Sequence, residues 1–388
     1  MPLNLSEIYP QIKEMVEASK QVETYLISRR EKAEQLFKEH ASDLAFLKAR
    51  VEAIPEKSTL RCALPMKESF NQGYAEPKNE SQPVVLAADG SQITTSHHDP
   101  IEFGVVNIGV FRIQSGSGLV PETLTMTHLI YPHPVRLPWP RITEERVALE
   151  RDLRERQILA ELASQEELPV VTLTDGVLEL FHEPQNEPGF RQKFSDYLDS
   201  LERLASLNSI TAGYVDRPLA NLVVRLLELA ELTDEELGKT PQLHPLEGIT
   251  DAFLFQSLLR PGERSAIFGL RSRSAKQFEE HNAQLALRFF YLNVGFPEKP
   301  SLARVEIPEW VAGQPETVDL LHGSLLEQCR KMGANPFPYA LHRAHEIAVV
   351  RFEEKRQIES RIMAEFTGKG LPIGAYSNKQ ANKDAHLR

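Results

Sequence analysis

The stretch VVLAADGSQI, residues 84–93, decides the predicted fold. Its first five residues are apolar, which is typical of a short strand buried on both faces of a sheet. We expect this strand to end at Asp89, with Gly90 and Ser91 directly behind it. A carboxylate at the end of a buried strand lies at the rim of the sheet, where open α/β sheets bind their ligands. The alternative is a plain turn, because Asp-Gly is also a common hairpin signal.

A second stretch, LPVVTLTDGVLEL at residues 168–180, repeats this pattern. It is again rich in β-branched residues and ends on an Asp-Gly pair, at Asp175 and Gly176. Two buried strands that each bring an aspartate to a rim predict a metal site built from carboxylates, since hard cations prefer oxygen ligands.

The rest of the chain predicts an α/β fold with a helical extension. Strand and helix patterns alternate after residue 84, which favours a sheet flanked by helices over a β-sandwich. Residues 3–53 contain no glycine and carry apolar residues at helical spacing, so we expect a helix pair there. We therefore predict a helical region and linker over residues 1–83, an α/β domain over residues 84–366 and a polar tail over residues 367–388.

Composition limits the class of protein. The 388 residues are 41% hydrophobic and 26% charged, as in soluble globular proteins. A net charge of −11 argues against a wholly basic surface for nucleic acid, but it permits a local basic groove. Cys62 and Cys329 lack metal-ligand spacing and are predicted to be reduced thiols. No apolar run approaches the roughly 20 residues of a membrane span. We expect a cytoplasmic protein that does not enter the membrane.

A third carboxylate is expected on the helix before the second strand, where Glu155 and Glu150 compete. The neighbours of Glu155 at helical spacing form an apolar stripe: Ala148, Ile158, Leu159 and Leu162. Glu150 has polar neighbours and is expected toward solvent. A glutamate on a buried face is costly unless it is paired or binds a metal, so Glu155 is the predicted ligand. If the helix phase is wrong, Glu150 takes this role.

A late helix, predicted from Tyr339 to Phe366, supplies a fourth group. His345 lies on its predicted apolar face, and His342 lies one turn earlier as the less buried alternative. A histidine at such a position is either a core residue or, beside three carboxylates, a metal ligand or general acid. Oxygen ligands suit Mg²⁺ or Mn²⁺, and an imidazole favours Mn²⁺.

Carboxylates from two strands and a helix, joined by a histidine from a late helix, resemble the ribonuclease H-like site. In that site two divalent ions clamp the attacking and leaving oxygens of a phosphodiester. Residues 84 to 352 also resemble a narrower family, the NurA nucleases. The resemblance rests on the following stretches and their order: AADGSQ, ERQILAELASQEELPVVTLTDGVL, AGYVDRP, LLRPGERSAIF, FYLNVG, ARVEIPEW and PFPYALHRAHEIAVV.

This resemblance implies a ribonuclease H-like fold and a Mn²⁺-dependent (or Mg²⁺-dependent) DNA nuclease. Endonuclease and exonuclease activity on single strands, used in DNA end processing, would be expected. The resemblance further implies a homodimer that works with HerA, a hexameric ATPase. On the matching motifs it implies that Asp89, Glu155, Asp175 and His345 are the catalytic, metal-binding residues. The family commonly has a tyrosine eight residues before the terminal histidine, and this sequence has Phe337 there.

Two rival functions stay open at this point. Another metallo-phosphohydrolase could use the same carboxylates on mononucleotides, and a non-catalytic adaptor could keep the fold. The sequence contains no GxxxxGK[ST] phosphate loop, so we do not expect the chain to hydrolyse ATP itself.

Overall fold

The computed structural model describes residues 3–55, 57–78, 82–94, 101–132, 142–180 and 189–371. Within them it has twelve α-helices, two short 3-10 helices and nine strands, and the strands form a mixed sheet flanked by helices. The predicted α/β class with an N-terminal helical extension is confirmed. Most of the predicted polar tail, residues 372–388, lies outside the described residues. In the described part of the chain, no helix is both long and apolar enough to cross a lipid bilayer.

In chain order the elements are α1 (Leu5–His40), α2 (Leu44–Glu52), β1 (Cys62–Pro65), β2 (Val84–Thr94), β3 (Gly104–Gln114), β4 (Glu122–Ile130), α3 (Glu144–Ala163), β5 (Val170–Asp175), α4 (Phe190–Ser206), β6 (Ile210–Asp216), α5 (Leu222–Glu231), α6 (Asp234–Leu237), α7 (Asp251–Gln256), β7 (Phe268–Arg271), α8 (Arg273–His281), β8 (Leu287–Asn293), β9 (Leu302–Pro308), α9 (Glu309–Ala312), α10 (Pro315–Arg330), α11 (Tyr339–Ala348) and α12 (Phe352–Gly368).

The chain divides into two compact units. The first comprises Met1–Glu76, Val215–Glu280 and Ala286–Glu306. It contains the helix pair α1 and α2, as predicted. The region expected to be a linker contains β1, which pairs antiparallel with β7. A four-residue strand is too short to give a periodic sequence signal, which is why this strand was not predicted.

The second unit comprises Pro77–Tyr214, His281–Leu285 and Ile307–Arg388. Here β2, β3 and β4 form an antiparallel meander, and β2 is also parallel to β5, which in turn is parallel to β6. Helix α3 connects β4 to β5, and α4 connects β5 to β6. This is a mixed sheet flanked by helices, as the sequence predicts.

Helix α3 begins at Glu144, directly after the capping residue Thr143. Thr143 has an extended backbone, and its hydroxyl accepts a hydrogen bond from the backbone N–H of Arg146 at 3.2 Å. This N-cap satisfies one of the backbone donors that the first turn of a helix leaves unpaired. The phase of α3 is therefore fixed at its start, and this phase determines which glutamates face the sheet.

Strand β2 is longer than predicted. The expected end at Asp89 and the alternative of a turn there are both wrong, because the antiparallel ladder with β3 continues to Thr94 opposite Gly104. The parallel ladder with β5 stops one residue before Asp89, at the pair Ala88 and Thr174. Asp89 therefore lies inside β2, just beyond the point where the parallel strand ends.

The single C-terminal helix that the sequence predicts is also wrong. Helix α11 ends at Ala348, Val349 has an extended ψ of 123°, and α12 begins at Phe352. The carbonyl oxygen of Ala348 accepts hydrogen bonds from Ser91 Oγ in β2 and Asn107 Nδ2 in β3. These bonds replace the continuation of the helix, since they satisfy a carbonyl that the last turn would otherwise leave unpaired.

Gly109 in β3 allows α11 to lie directly on the sheet. A Cβ at this position would be 2.5 Å from both the carbonyl oxygen of Ala344 and the backbone nitrogen of Ala348. Gly109 is paired directly opposite Asp89. Residues opposite each other in an antiparallel pair point to the same face, so the side chain of Asp89 faces α11.

We expect Gly109→Ala to lower the free energy of unfolding by about 1–3 kcal/mol, because backbone atoms cannot move aside as a side-chain end can. Denaturant unfolding measures this effect. Gly368→Ala is the matched control, because a Cβ at Gly368 has no atom within 4 Å. Equal unfolding midpoints for the two variants would contradict the close approach of α11 to β3.

Candidate active site

Asp89 and His345 are in direct contact. The Nδ1 atom of His345 lies 2.7 Å from Oδ2 of Asp89, so α11 and β2 are joined at this point. The predicted burial of His345 is wrong: its side chain is 65% exposed, whereas that of Asp89 is 15% exposed. The apolar stripe assumed for His345 included residues beyond Ala348, where α11 has already ended. The alternative of a core histidine is excluded by the same exposure.

This contact orients the imidazole ring. When Nδ1 carries the proton and donates it to Asp89, the lone pair of the ring lies on Nε2. A carboxylate that holds a histidine in this way is a common arrangement at sites that bind metals or transfer protons. The exposed His345 can therefore offer Nε2 as a metal ligand or as a proton-transfer group.

Glu155 approaches β2 from the opposite face, next to Asp89. A Cβ at Gly90 would lie 2.8 Å from Oε1 of Glu155, so the missing side chain at Gly90 lets the carboxylate lie against the strand. Glu155 is buried, as predicted. Its Oε1 is 3.8 Å from Nε of Arg151, which is too long for a hydrogen bond. Among the described residues, no group donates a hydrogen bond to this carboxylate.

The electrostatics of Glu155 follow from this burial. Desolvation raises the pKa of Glu155 well above 4.5, and the neighbouring charges of Asp152 and Asp89 raise it further. Arg156 and Arg151 act in the opposite direction but do not compensate. A buried carboxylate without a bonded cation is costly to ionise, so the site favours either a proton or a bound cation.

Glu150 is buried too, which corrects the expectation that it lies toward solvent. It differs from Glu155 in its partners. Arg154 Nε donates to Oε1 at 2.9 Å, and Lys193 from α4 donates to Oε2. Burial raises the pKa of Glu150, but the hydrogen bonds and charges of Lys193 and Arg154 outweigh it, so the net shift is downward. Two cations already neutralise Glu150, which makes it a structural ion pair.

Asp175 ends β5, as predicted, and is exposed. The last parallel pair of β2 and β5 is Ala88 with Thr174, so the next residues along the two strands are Asp89 and Asp175. Neighbouring strands lie about 4.8 Å apart, which places these two aspartates at adjacent backbone positions. Gly176 has a φ of +94° and turns the chain directly after Asp175.

Asp175 and Glu155 line one cavity of about 200 Å³ between α3, α4 and the turn after β5. The charged residues of this cavity comprise four carboxylates and two guanidinium groups: Arg151, Asp152, Glu155, Arg156, Asp175 and Glu179. The cavity therefore attracts cations more than anions. Because it is large enough for several water molecules, a hydrated divalent ion would fit within it.

The four predicted residues thus form two groups in the structure. Asp89 contacts His345 on the α11 side of β2, and Glu155 shares the cavity with Asp175 on the α3 side. The uncompensated carboxylate of Glu155 and the oxygen-rich donor set fit a hard divalent cation. No three ligand atoms of Asp89, Glu155, Asp175 and His345 all lie within 4.8 Å of one another. Among the described residues, such a set is formed by Asp199, Glu202 and His281. That second group is largely exposed and lies on α4 and at the end of α8.

Phe337 occupies the position where the family pattern has tyrosine. Its ring packs edge-on against Tyr214, with ring centroids 5.5 Å apart. Tyr214 is the β6 partner of Asp175, so Phe337 supports the backbone at the end of β5. Tyr339, two residues later, packs edge-on against Phe111 instead. Phe337 therefore contributes packing but no hydroxyl group.

Sequence reasoning assigned Gly90, Gly109 and Arg151 no role in the site. The two glycines gave no signal because their role depends on helices that pack on β2 and β3. Arg151 did give a signal: it precedes Glu155 by four residues and therefore lies on the same helix face.

The described residues define an α/β protein with a mixed sheet and a carboxylate-lined cavity beside strand β5. The family model of the NurA domain matches residues 83–350. The chain belongs to the NurA family, which confirms the predicted family and supports a nuclease. No curated protein sequence matches the chain significantly.

The solved structures that are similar to the chain include the following two. The crystal structure of LC9-RNase H1, a type 1 RNase H with the type 2 active-site motif, is 12% identical, with a TM-score of 0.21. It covers 32% of this chain, and the chain spans 60% of that protein's length. The catalytic domain of human endonuclease V is 13% identical, with a TM-score of 0.34, and the match covers 85% of this chain and 96% of that domain.

The contrast between the two glutamates can be tested by unfolding without metal. We expect Glu155→Gln to keep or raise the free energy of unfolding at pH 7, because it removes a buried charge that has no bonded partner. We expect Glu150→Gln to lower it by about 1–3 kcal/mol, because Arg154 and Lys193 lose their anion.

The pH dependence has a definite sign. Since the folded-state pKa of Glu155 is raised, the contribution of this carboxyl to stability is present below pH 4.5 and is lost as pH rises through the raised pKa. The advantage of Glu155→Gln over the wild type should therefore grow with pH. A constant difference between pH 5 and 8, measured by denaturant unfolding in EDTA, would contradict the uncompensated state of Glu155.

Proposed function

We propose that this protein is a metal-dependent DNA nuclease that hydrolyses phosphodiester bonds in single strands, as endonuclease and exonuclease, during DNA end processing. The observation that carries the proposal is the buried carboxylate of Glu155, which has no hydrogen-bond donor among the described residues, lies against β2 at Gly90 and lines the same cavity as Asp175. Membership of the NurA family supports the same reaction class.

The proposed metal ligands are Asp89, Glu155, Asp175 and His345. When bound, Mn²⁺ or Mg²⁺ would neutralise phosphate charge and lower the pKa of a water molecule. Gly90 and Gly109 let the helices approach β2 closely enough to bring the carboxylate of Glu155 and the imidazole of His345 to the strand. The imidazole nitrogen of His345 favours Mn²⁺, because a nitrogen ligand suits Mn²⁺ better than Mg²⁺.

His345 is proposed to act at its exposed Nε2 atom. Asp89 fixes the ring through Nδ1, which keeps Nε2 directed away from the strand toward solvent and an incoming substrate. From there the neutral ring can complete the ligand set through the lone pair of Nε2, whereas a protonated ring, which carries a proton on both nitrogens, can donate the Nε2 proton to the leaving oxygen. The direct bond to Asp89 supports an orienting role for that carboxylate in either case.

The finer parts of the proposal concern assembly and location. We propose a cytoplasmic homodimer that works with a HerA-type hexameric ATPase, since the chain has no phosphate loop of its own to drive translocation along DNA. Family membership supports this assembly. Two free, buried cysteines are consistent with a reducing compartment.

The test of the proposed function is cleavage of labelled single-stranded DNA by the purified protein, with Mn²⁺ and with EDTA. We expect Mn²⁺-dependent cleavage, and at least a ~100-fold loss in Asp89→Asn and Asp175→Asn, because each carboxylate holds a cation that stabilises transition-state charge. Asp199→Asn is the control for the second acidic group and should retain activity. Cleavage in EDTA, or wild-type rates in the Asp175 variant, would contradict the proposal, and cleavage of mononucleotides alone would indicate another phosphohydrolase.

The role of His345 is tested against its neighbour His342. We expect His345→Ala to lose most of its cleavage activity and part of the melting-temperature increase that Mn²⁺ gives by binding the native state. Its melting temperature without metal should stay close to that of the wild type, since the side chain is largely exposed. His342→Ala, whose imidazole lies 3.5 Å from Glu346, should behave like the wild type in both assays. Full activity and an unchanged Mn²⁺ response in His345→Ala would reject the assignment.

A further inference from the structure

Arg151 is a cation placed among the proposed metal-binding carboxylates. It lies on α3 one turn before Glu155, and its side chain crosses β2 at Gly90. A Cβ at Gly90 would lie 2.4 Å from Cγ and 2.9 Å from Cδ of Arg151, so only glycine leaves room for this path. The guanidinium group is therefore held over the strand at the residue that follows Asp89. The negative charge of Asp89 favours the charged form of the guanidinium group.

The guanidinium group is only partly engaged. Nε and Nη2 both donate to a single oxygen, Oδ1 of Asp152, at 3.2 and 2.9 Å, and Nη1 donates to Gln92 Oε1 at 3.4 Å. It does not form a two-oxygen pair with any described carboxylate. An arginine has five N–H donors. One N–H on each terminal nitrogen is thus without a partner among the described residues, and the side chain is 33% exposed.

The neighbouring arginines of α3, Arg154 and Arg156, form hydrogen bonds with other residues. Arg154 is about equally exposed, but it donates to the buried carboxylate of Glu150. Arg156 is buried, and its Nε donates to the hydroxyl of Tyr197 at 3.2 Å. Arg151 is therefore the arginine of this helix that combines a place in the acidic cavity with accessible, unused donors.

We propose that Arg151 binds the substrate itself, by donating its free N–H groups to non-bridging oxygens of the phosphodiester that is cleaved. The inference rests on the proposed nuclease function and extends it with a residue that determines substrate affinity. A cluster of carboxylates repels a phosphate, and a fixed arginine at its edge offsets this repulsion. The planar fork of a guanidinium group matches two phosphate oxygens, which an ammonium group cannot do.

The test compares steady-state cleavage of single-stranded DNA by the wild type, Arg151→Gln, Arg151→Lys and the control Arg154→Gln. We expect Arg151→Gln to lower kcat/KM by roughly tenfold or more, mainly through a higher KM, because a charge-assisted hydrogen-bond pair to phosphate is lost. Arg151→Lys should recover part of this loss, since the charge remains. Arg154→Gln should keep the wild-type KM, although its unfolding midpoint falls.

The Mn²⁺-dependent rise in melting temperature is measured for the same four proteins. An unchanged rise in Arg151→Gln, together with its higher KM, supports phosphate binding. A smaller rise with an unchanged KM would overturn the inference and show that Arg151 only positions Asp152 and Glu155. A larger rise with an unchanged KM would also overturn it, since Arg151 would then compete with the cation. Equal KM increases in the Arg151 and Arg154 variants would also overturn the inference, because loss of any positive charge on α3 would then raise KM equally. Absence of cleavage in the wild type would instead refute the nuclease proposal.

Discussion

The close approach of two helices to strand β2, one on each face, is the constraint on which the site depends. On one face α11 lies against Gly109, and on the other α3 lies against Gly90, and neither position has room for a Cβ. A protein interior is packed too densely for a helix to move aside without cost, so these two glycines set how near the side chains of Glu155 and His345 come to β2. The hydrogen bonds from Ser91 and Asn107 then fix the end of α11 on the same strands.

The two buried glutamates of α3 differ in their electrostatic partners. Burial penalises the charge of both, but Glu150 receives hydrogen bonds from two cations, and Glu155 receives none from the described residues. A buried carboxylate that accepts hydrogen bonds from two cations has less to gain from a metal ion than one that accepts none. The same helix thus anchors α4 through Glu150 and presents an unsatisfied carboxylate through Glu155. Burial alone would not have separated the two residues.

A cluster of carboxylates repels a phosphate, because both are negatively charged. The cavity beside β5 has four carboxylates and two arginines in its lining, so its net charge repels a polynucleotide until cations are present. Bound divalent ions reverse this charge locally. Arg151 adds a cation that needs no ion to be bound first, because its side chain is held in place by the strand at Gly90 and by Asp152. Metal binding and substrate binding are therefore expected to share one small region of the fold.

The sequence by itself determined the features that local patterns encode: the two strands that carry Asp89 and Asp175, helix α3 with its Thr143 cap, the α/β class and the family. Hydrophobic periodicity and capping act over a few residues, so a single sequence is enough to find them. Tertiary structure alone decided the continuation of β2 past Asp89, since β3 supplies the backbone partners there. It also decided the end of α11 at Ala348, and with it the exposure of His345. The neutralisation of Glu150 by Lys193 and the path of Arg151 over Gly90 depend on neighbours that are distant in sequence, and packing between separate elements is the interaction that no local pattern records.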